Sequence, residues 1–309
     1  MKFKLCCVTL TAAALVILST LSQAKEKTVI EQGIQLYPSG ELNLKDSLGK
    51  KPIYLKFWAS WCIPCREEMK HLQESYTEYG DKIDIVSVNI YVNETHQAIK
   101  STIEEFGLTF PVALDSDGSW ARTFEFAGTP YHLLINKEGK IVHSGYEASK
   151  ELDTKLALLA TDSAKDLIAK QIKVDIKGEA NLPISKQGTS IVYFTATWCD
   201  WYLKDLRPSM SENCVNSQKV VETLAKNHQV NALVTHLWTD DEDVAKYKDS
   251  YTIRYPVAID VDGSAFFNYN IKTFPTMVVF KDGKEVYRTS EFSSQDKTIK
   301  TLQEYVAVR

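Results

Sequence analysis

The sequence predicts an α/β protein made of two tandem domains of one design, each a mixed central sheet flanked by helices. Length is the first reason. At 309 residues the chain exceeds one ordinary domain of about 100–200 residues. Alternation is the second, because strand-like apolar runs take turns with helical patterns and then close on a hairpin. Internal repetition is the third: the run Phe110–Ser119 recurs as Tyr255–Ser264 at an offset of 145. Thr129-Pro130 and Phe274-Pro275 keep that offset of 145, and Lys137–Lys140 answers Lys281–Lys284 at 144. Upstream, Phe57–Cys62 answers Phe194–Cys199 at 137, so the second copy carries about eight extra residues, placed around Pro208.

In the first copy, Ile53 to Trp58 is β-branched and aromatic, the signature of a strand. Residues 62–79 alternate apolar and charged side chains at helical spacing, and Ile83 to Tyr91 again reads as strand. A helix fits Thr95–Phe106, a short strand Val112–Leu114, and a helix Ser119–Phe126. Tyr131–Ile135 and Lys140–Ser144 form two strands joined by Lys137-Glu138-Gly139, a turn signal. Glu147 to about Ile172 reads as one helix with Leu152, Leu156, Leu159 and Leu167 on its apolar stripe, closing the first domain.

Hydrophobic content of 44% and charged content of 25% are those of a soluble globular protein. Lys2 and Lys4 precede an apolar run from Leu5 to Leu18, and Ser22-Gln23-Ala24 offers small residues for signal cleavage. Residues 1–24 are therefore expected to be an export signal, with domains at 25–160 and 161–309. The run is shorter than the roughly 20 residues that span a bilayer, and Cys6 and Cys7 lie too early for lipoprotein cleavage. No membrane span is expected after signal removal. Loss of Lys2 and Lys4 leaves 34 basic against 40 acidic residues, a net of −6 that argues against nucleic acid as a partner.

Four cysteines remain in the expected mature chain: Cys62, Cys65, Cys199 and Cys214. An exported chain meets an oxidising space, and Cys62-x-x-Cys65 has the compact redox spacing, leaving Cys199 and Cys214 as the second candidate pair. His71, His132, His228 and His236 show no ligand-like spacing to a second cysteine pair, so no metal is expected. A Cys-x-x-Cys that opens a helix sets its first sulfur among unpaired N–H groups at the positive end of the helix dipole, which favours thiolate. Cys62 is then a nucleophile near neutral pH, and Cys65 follows one turn later, positioned to resolve a mixed disulfide. Pro64 fixes φ at the helix start.

These residues resemble the thioredoxin fold, and within it the exported TlpA-like group that includes ResA-type and cytochrome c maturation reductases. The likeness covers most of residues 33–160 and, more loosely, 175–309. It is carried by Gly49-Lys50, the strand Ile53–Trp58, Trp61-Cys62-Ile63-Pro64-Cys65, Glu68 and Pro130. The separation of 68 residues between Cys62 and Pro130 is similar to that of the TlpA-like group, which inserts a strand and a helix there. The resemblance implies a redox-active Cys62–Cys65 disulfide with no other cofactor, and Glu68 as acceptor of the Cys65 proton. It also implies that Pro130, preceded by Thr129, is a cis proline offering backbone to a client strand, with Trp61 and Pro64 at the client rim. Two departures stand out. Lys56 occupies the place of the buried acid of plain thioredoxins, and Lys70 the place of the family's usual proline.

In the second copy Cys199-Asp200-Trp201-Tyr202 lacks the second cysteine of the motif, and Cys214 is the local partner fifteen positions on. A 199–214 staple, a redox pair of unusual span and a lone Cys199 thiol all remain open at this stage. Pro275 keeps the cis-proline position. The expected activity is disulfide reduction on protein clients in the bacterial periplasm, recharged by a membrane-bound thiol donor. Its rivals are a disulfide isomerase or oxidase, and a binding or assembly factor whose cysteines only switch shape.

Overall fold

The computed structural model describes residues 29–31, 33–161, 167–172, 182, 184–293 and 295–307. The expected export signal at 1–24, with Cys6 and Cys7, lies outside the described residues. Among those described, no helix is long and apolar enough to cross a membrane.

In chain order the first unit runs β1 (Ile34–Tyr37), β2 (Glu41–Leu42), β3 (Ile53–Trp58), α1 (Ile63–Glu67), α2 (Met69–Tyr79), β4 (Asp84–Asn89) and α3 (His96–Phe106). It continues with β5 (Val112–Leu114), α4 (Ser119–Phe124), β6 (Tyr131–Ile135), β7 (Lys140–Gly145), α5 (Lys150–Leu159) and β8 (Lys170–Gln171). Its sheet has the order β2-β1-β5-β4-β3-β6-β7-β8. β3, β4 and β5 are parallel, β6 runs antiparallel to β3, and β7 turns back antiparallel to β6. Helices cover both faces of a sheet of this kind, so β3 is buried along its whole length and reads as a continuous apolar run broken only by Lys56.

The second unit comprises β9 (Thr189–Thr195), α6 (Cys199–Tyr202), α7 (Pro208–Ala225), β10 (Val230–Thr235), α8 (Asp241–Tyr251) and β11 (Val257–Asp260). It ends with α9 (Ser264–Asn268), β12 (Thr276–Lys281), β13 (Lys284–Thr289) and α10 (Gln295–Ala307). Its order β11-β10-β9-β12-β13 reproduces the core β5-β4-β3-β6-β7 of the first sheet. Registers match as well: Phe57 lies opposite Val88, and Phe194 opposite Leu233, so the offset passes from 137 to 145 between those strands. The extra residues therefore fall within the α6–α7 region, on the N-terminal side of β10. These two mixed sheets flanked by helices are a pair of thioredoxin-like folds.

The repeated Asp-x-Asp-Gly-Ser segment is a helix start. Asp115 accepts from the N–H groups of Trp120 and Ala121 at 3.1 and 2.8 Å, and Asp260 from those of Ala265 and Phe266 at 3.0 and 2.9 Å. Gly118 and Gly263 each take φ +70°, a left-handed turn that explains the glycine in both copies.

Three expectations need correction. The helix over 62–79 is broken at Glu68, whose φ and ψ of −94° and 1° separate α1 from α2. The helix from Glu147 to Ile172 is shorter, because α5 spans only Lys150–Leu159. Leu167 packs on the core from outside any helix, and the chain returns as β8 to pair with β7, Lys140 opposite Gln171. That pairing assigns Lys170–Gln171, expected in the second domain that starts at 161, to the first sheet. The hairpin β1–β2 at the other edge carries no sequence expectation; it pairs with β5 through Gln35 and Leu114.

Candidate active site

β3 ends at Trp58, and the chain turns through Ala59, Ser60 and Trp61 so that Cys62 becomes the N-cap of α1. The Cys65 N–H points at the Cys62 Sγ, 3.2 Å away, satisfying one of the donors that a helix start leaves unpaired. Pro64 occupies the first turn, where its missing donor costs nothing. Cys62 and Cys65 are joined in a disulfide with a Cα–Cα distance of 5.2 Å. The Thr129–Pro130 peptide is cis, and the Thr129 carbonyl oxygen lies 3.4 Å from the Cys62 Sγ. Trp61 stands beside the pair, its indole N–H donating to the Val92 carbonyl at 2.8 Å. Trp61, Cys62, Pro64, Cys65, Thr129 and Pro130, expected together from the sequence, thus converge on one end of the sheet.

Glu68 faces a different neighbourhood. At the break between α1 and α2 its Oε2 accepts from Lys56 Nζ at 2.9 Å and from His132 Nε2 at 3.0 Å, and its Oε1 from the Ala148 N–H at 2.7 Å. His132 Nδ1 in turn takes the Tyr54 hydroxyl at 2.7 Å. Burial pulls Glu68 upward, but the His132 bond, the Lys56 charge and the Ala148 N–H together hold it down to about 2. Burial lowers His132 against the opposing pull of Glu68, so the ring is neutral, donating to Glu68 and accepting from Tyr54. The same burial lowers Lys56, with Glu68 drawing it back up. Lys56, standing where plain thioredoxins hold an acid, is therefore the cation that fixes an ionised Glu68 under α1.

Glu94 escaped the sequence reading. Its carboxylate takes both the N–H and, at 2.6 Å, the hydroxyl of Ser60, and it receives Asn89 Nδ2 at 3.0 Å. Burial raises its pKa against those bonds and the Arg207 charge. No local pattern marks it, since the loop after β4 is brought to the Ser60-Trp61-Cys62 turn only by the parallel pairing of β3 and β4.

In the second unit Cys199 is bonded to Cys214, Cα–Cα 6.1 Å, which ties α6 to α7. The Phe274–Pro275 peptide is cis, and the Phe274 ring meets the Trp198 ring at 5.6 Å. Trp198 repeats the anchoring of Trp61, donating to the Leu237 carbonyl at 2.8 Å.

A helix-capping, disulfide-bonded Cys-x-x-Cys beside a cis proline on this sheet defines a redox-type thioredoxin fold. The redoxin family model matches residues 35–159. Thiol-disulfide oxidoreductase ResA of Bacillus thuringiensis subsp. konkukian is 34% identical over 116 residues, 37% of this chain and 65% of the relative. Thioredoxin-like protein YneN of Bacillus subtilis is 36% identical over 124 residues, 39% of this chain and 72% of the relative. Among solved structures, StoA from Bacillus subtilis is 26% identical with a TM-score of 0.37, covering 40% of this chain and 94% of that one. The chain belongs to the ResA/TlpA-like family of thioredoxin-fold proteins. It spans 65% of the length of the ResA relative.

Proposed function

We propose that this chain is an exported thiol–disulfide oxidoreductase that reduces protein disulfides through Cys62 and Cys65. The placement of the Cys62 sulfur carries the reading: it caps α1, faces the Cys65 N–H at 3.2 Å and lies 3.4 Å from the carbonyl that precedes cis-Pro130. In the dithiol state the helix start favours the Cys62 thiolate. That thiolate attacks one sulfur of a client disulfide; an S–S bond forms to the client, the client S–S bond breaks, and the departing client thiolate takes a proton. Cys65 then loses its proton and attacks the Cys62 sulfur, closing the Cys62–Cys65 bond and releasing the second client thiol. Two electrons and two protons pass to the client. A thiol donor held at the membrane resets the pair by the reverse exchange.

Thr129 and Pro130 offer backbone to the client strand, and Trp61 and Pro64 form its rim. Glu68, held near 2 and engaged by Lys56, His132 and Ala148, is a poor acceptor for a thiol proton. We assign it to positioning, as a fixed negative charge where α1 gives way to α2. The ResA relatives, named thiol-disulfide oxidoreductases, support the reaction class. The same reading takes two domains, the first extended past the expected boundary at 160 to include β8, with the second unit lacking a Cys-x-x-Cys of its own.

Insulin reduction in the presence of dithiothreitol tests this reading. Wild type should accelerate turbidity, Cys62→Ser should return the rate to the uncatalysed level, and Cys65→Ser should accumulate a mixed disulfide on Cys62. Equal rates for wild type and Cys62→Ser would leave the cysteines a structural role and end the proposal.

A further inference from the structure

The sulfur that must meet a client has no exposed surface, for Cys62 and Cys65 are both 0% accessible, as is Trp61. The second unit forms much of that cover. Trp61 packs against Trp198 at 5.3 Å and Trp238 at 5.6 Å between ring centroids. The Ile63 N–H donates to the Tyr202 hydroxyl at 3.1 Å, and Arg207 donates to the Ser60 hydroxyl at 2.7 Å. Trp198, Cys199, Leu237 and Phe274 belong to the same apolar cluster as Trp58, Cys62 and Cys65.

The contact follows the duplication. Asn93 N–H donates to the Lys272 carbonyl at 2.9 Å, and Trp238 N–H to the Ala127 carbonyl at 2.6 Å. Donor corresponds to donor and acceptor to acceptor at the offset of 145 that relates the copies. The Arg122 guanidinium lies 3.4 Å from the ring centre of Phe267, its own counterpart at the same offset of 145. The two units therefore meet face to face through equivalent surfaces, each using the end of the sheet that holds its Trp-Cys turn and cis-proline loop. In the first unit that end is the client face.

Gly128 shows how closely the faces meet. It directly precedes Thr129 and Pro130, and a Cβ added there would fall under 3.0 Å from three atoms of the Trp238 indole. Its φ lies outside the left-handed range, so alanine suits the backbone, and the three atoms its Cβ would meet first all belong to the second unit.

We propose that the second unit is the resident occupant of the client face of the first, a gate that a protein disulfide must displace before it reaches Cys62. The proposal rests on the oxidoreductase reading and adds that activity is proportional to the fraction of molecules with the two faces apart.

Full-length protein, reduced and freed of dithiothreitol, is exposed to a polyethylene-glycol maleimide, and labelling of Cys62 is followed by peptide mass spectrometry. Native wild type should label more slowly than the same chain in urea by about tenfold or more. Trp238→Ala removes the cover and Gly128→Ala wedges it away, so either should recover most of that difference; Arg207→Ala, at the rim, should recover less and serves if the others do not fold. Wild-type labelling as fast as in urea overturns the gate, and so does protection that persists in the folded variants. Insulin reduction with dithiothreitol, run on the same proteins, separates the two claims. Faster labelling in the variants with no turnover by any of them upholds the gate and removes the oxidoreductase reading. Unprotected Cys62 with equal turnover in all of them removes the gate alone.

Discussion

Glu68 shows how one side chain is set by its surroundings. An isolated carboxylate at the end of a short helix would be solvated; here a buried lysine, a neutral imidazole and a backbone N–H converge on it, and the ionised form is held well below its ordinary range. A carboxyl depressed from 4.5 to about 2 contributes stability that is complete above 4.5 and lost as pH falls through 2. Solvent screening of the partly exposed carboxylate reduces that contribution to about 1–2 kcal/mol. Glu68→Gln should therefore be less stable than wild type at pH 7 and converge with it toward pH 2, as read by urea unfolding across that range. Parallel stability curves for the two proteins would show that Glu68 is not held in this way. Of this network only part was readable beforehand. Lys56 was visible as a departure from plain thioredoxins and Glu68 as a candidate acid, but His132 and Tyr54 enter from β6 and β3 through antiparallel pairing, which leaves no mark in local spacing.

At the scale of elements, strands were the most readable feature, because β-branched and aromatic runs end where the sheet ends: β3, β5 and β6 fall at their expected residues. Two long helical patterns overrun their elements, and α4 ends two residues before the expected Phe126, at the left-handed Glu125. Periodicity continues through Glu68, but the backbone there leaves the helical range, ending α1 before α2 begins. The leucine stripe of α5 continues to Leu167, yet the helix has ended and that leucine packs from an irregular segment. The second copy gained length where its motif lost a cysteine, and the Cys199–Cys214 bond closes the inserted region across 15 positions. Such a loop closure is worth about 3 kcal/mol in the chain-entropy account. Cys214→Ser should lower the urea midpoint accordingly, whereas an unchanged midpoint would show that α6 and α7 are held by packing alone.

For the whole molecule, the duplication was legible as repeated sequence, and the use to which the copies put it was not. Which surfaces meet is decided by side chains such as Trp198, Tyr202 and Trp238, whose partners lie across the interface and follow no periodicity. Because one apolar cluster runs from Ile53 through Trp61 to Trp198 and Phe274, the two units should unfold together. Near-ultraviolet circular dichroism, which reports the indoles, and far-ultraviolet circular dichroism should give superimposable urea transitions; two resolved steps would show that the units stand independently.

The reciprocal pairing of Asn93 with Lys272 and of Trp238 with Ala127 is the arrangement expected of a symmetric homodimer, yet here one polypeptide supplies both halves. Covalent linkage sets the local concentration of one half around the other at the order of millimolar. Closure is then independent of how much protein is present: dilution leaves it intact, and only a competitor for the shared surface, or a change within the chain, shifts it.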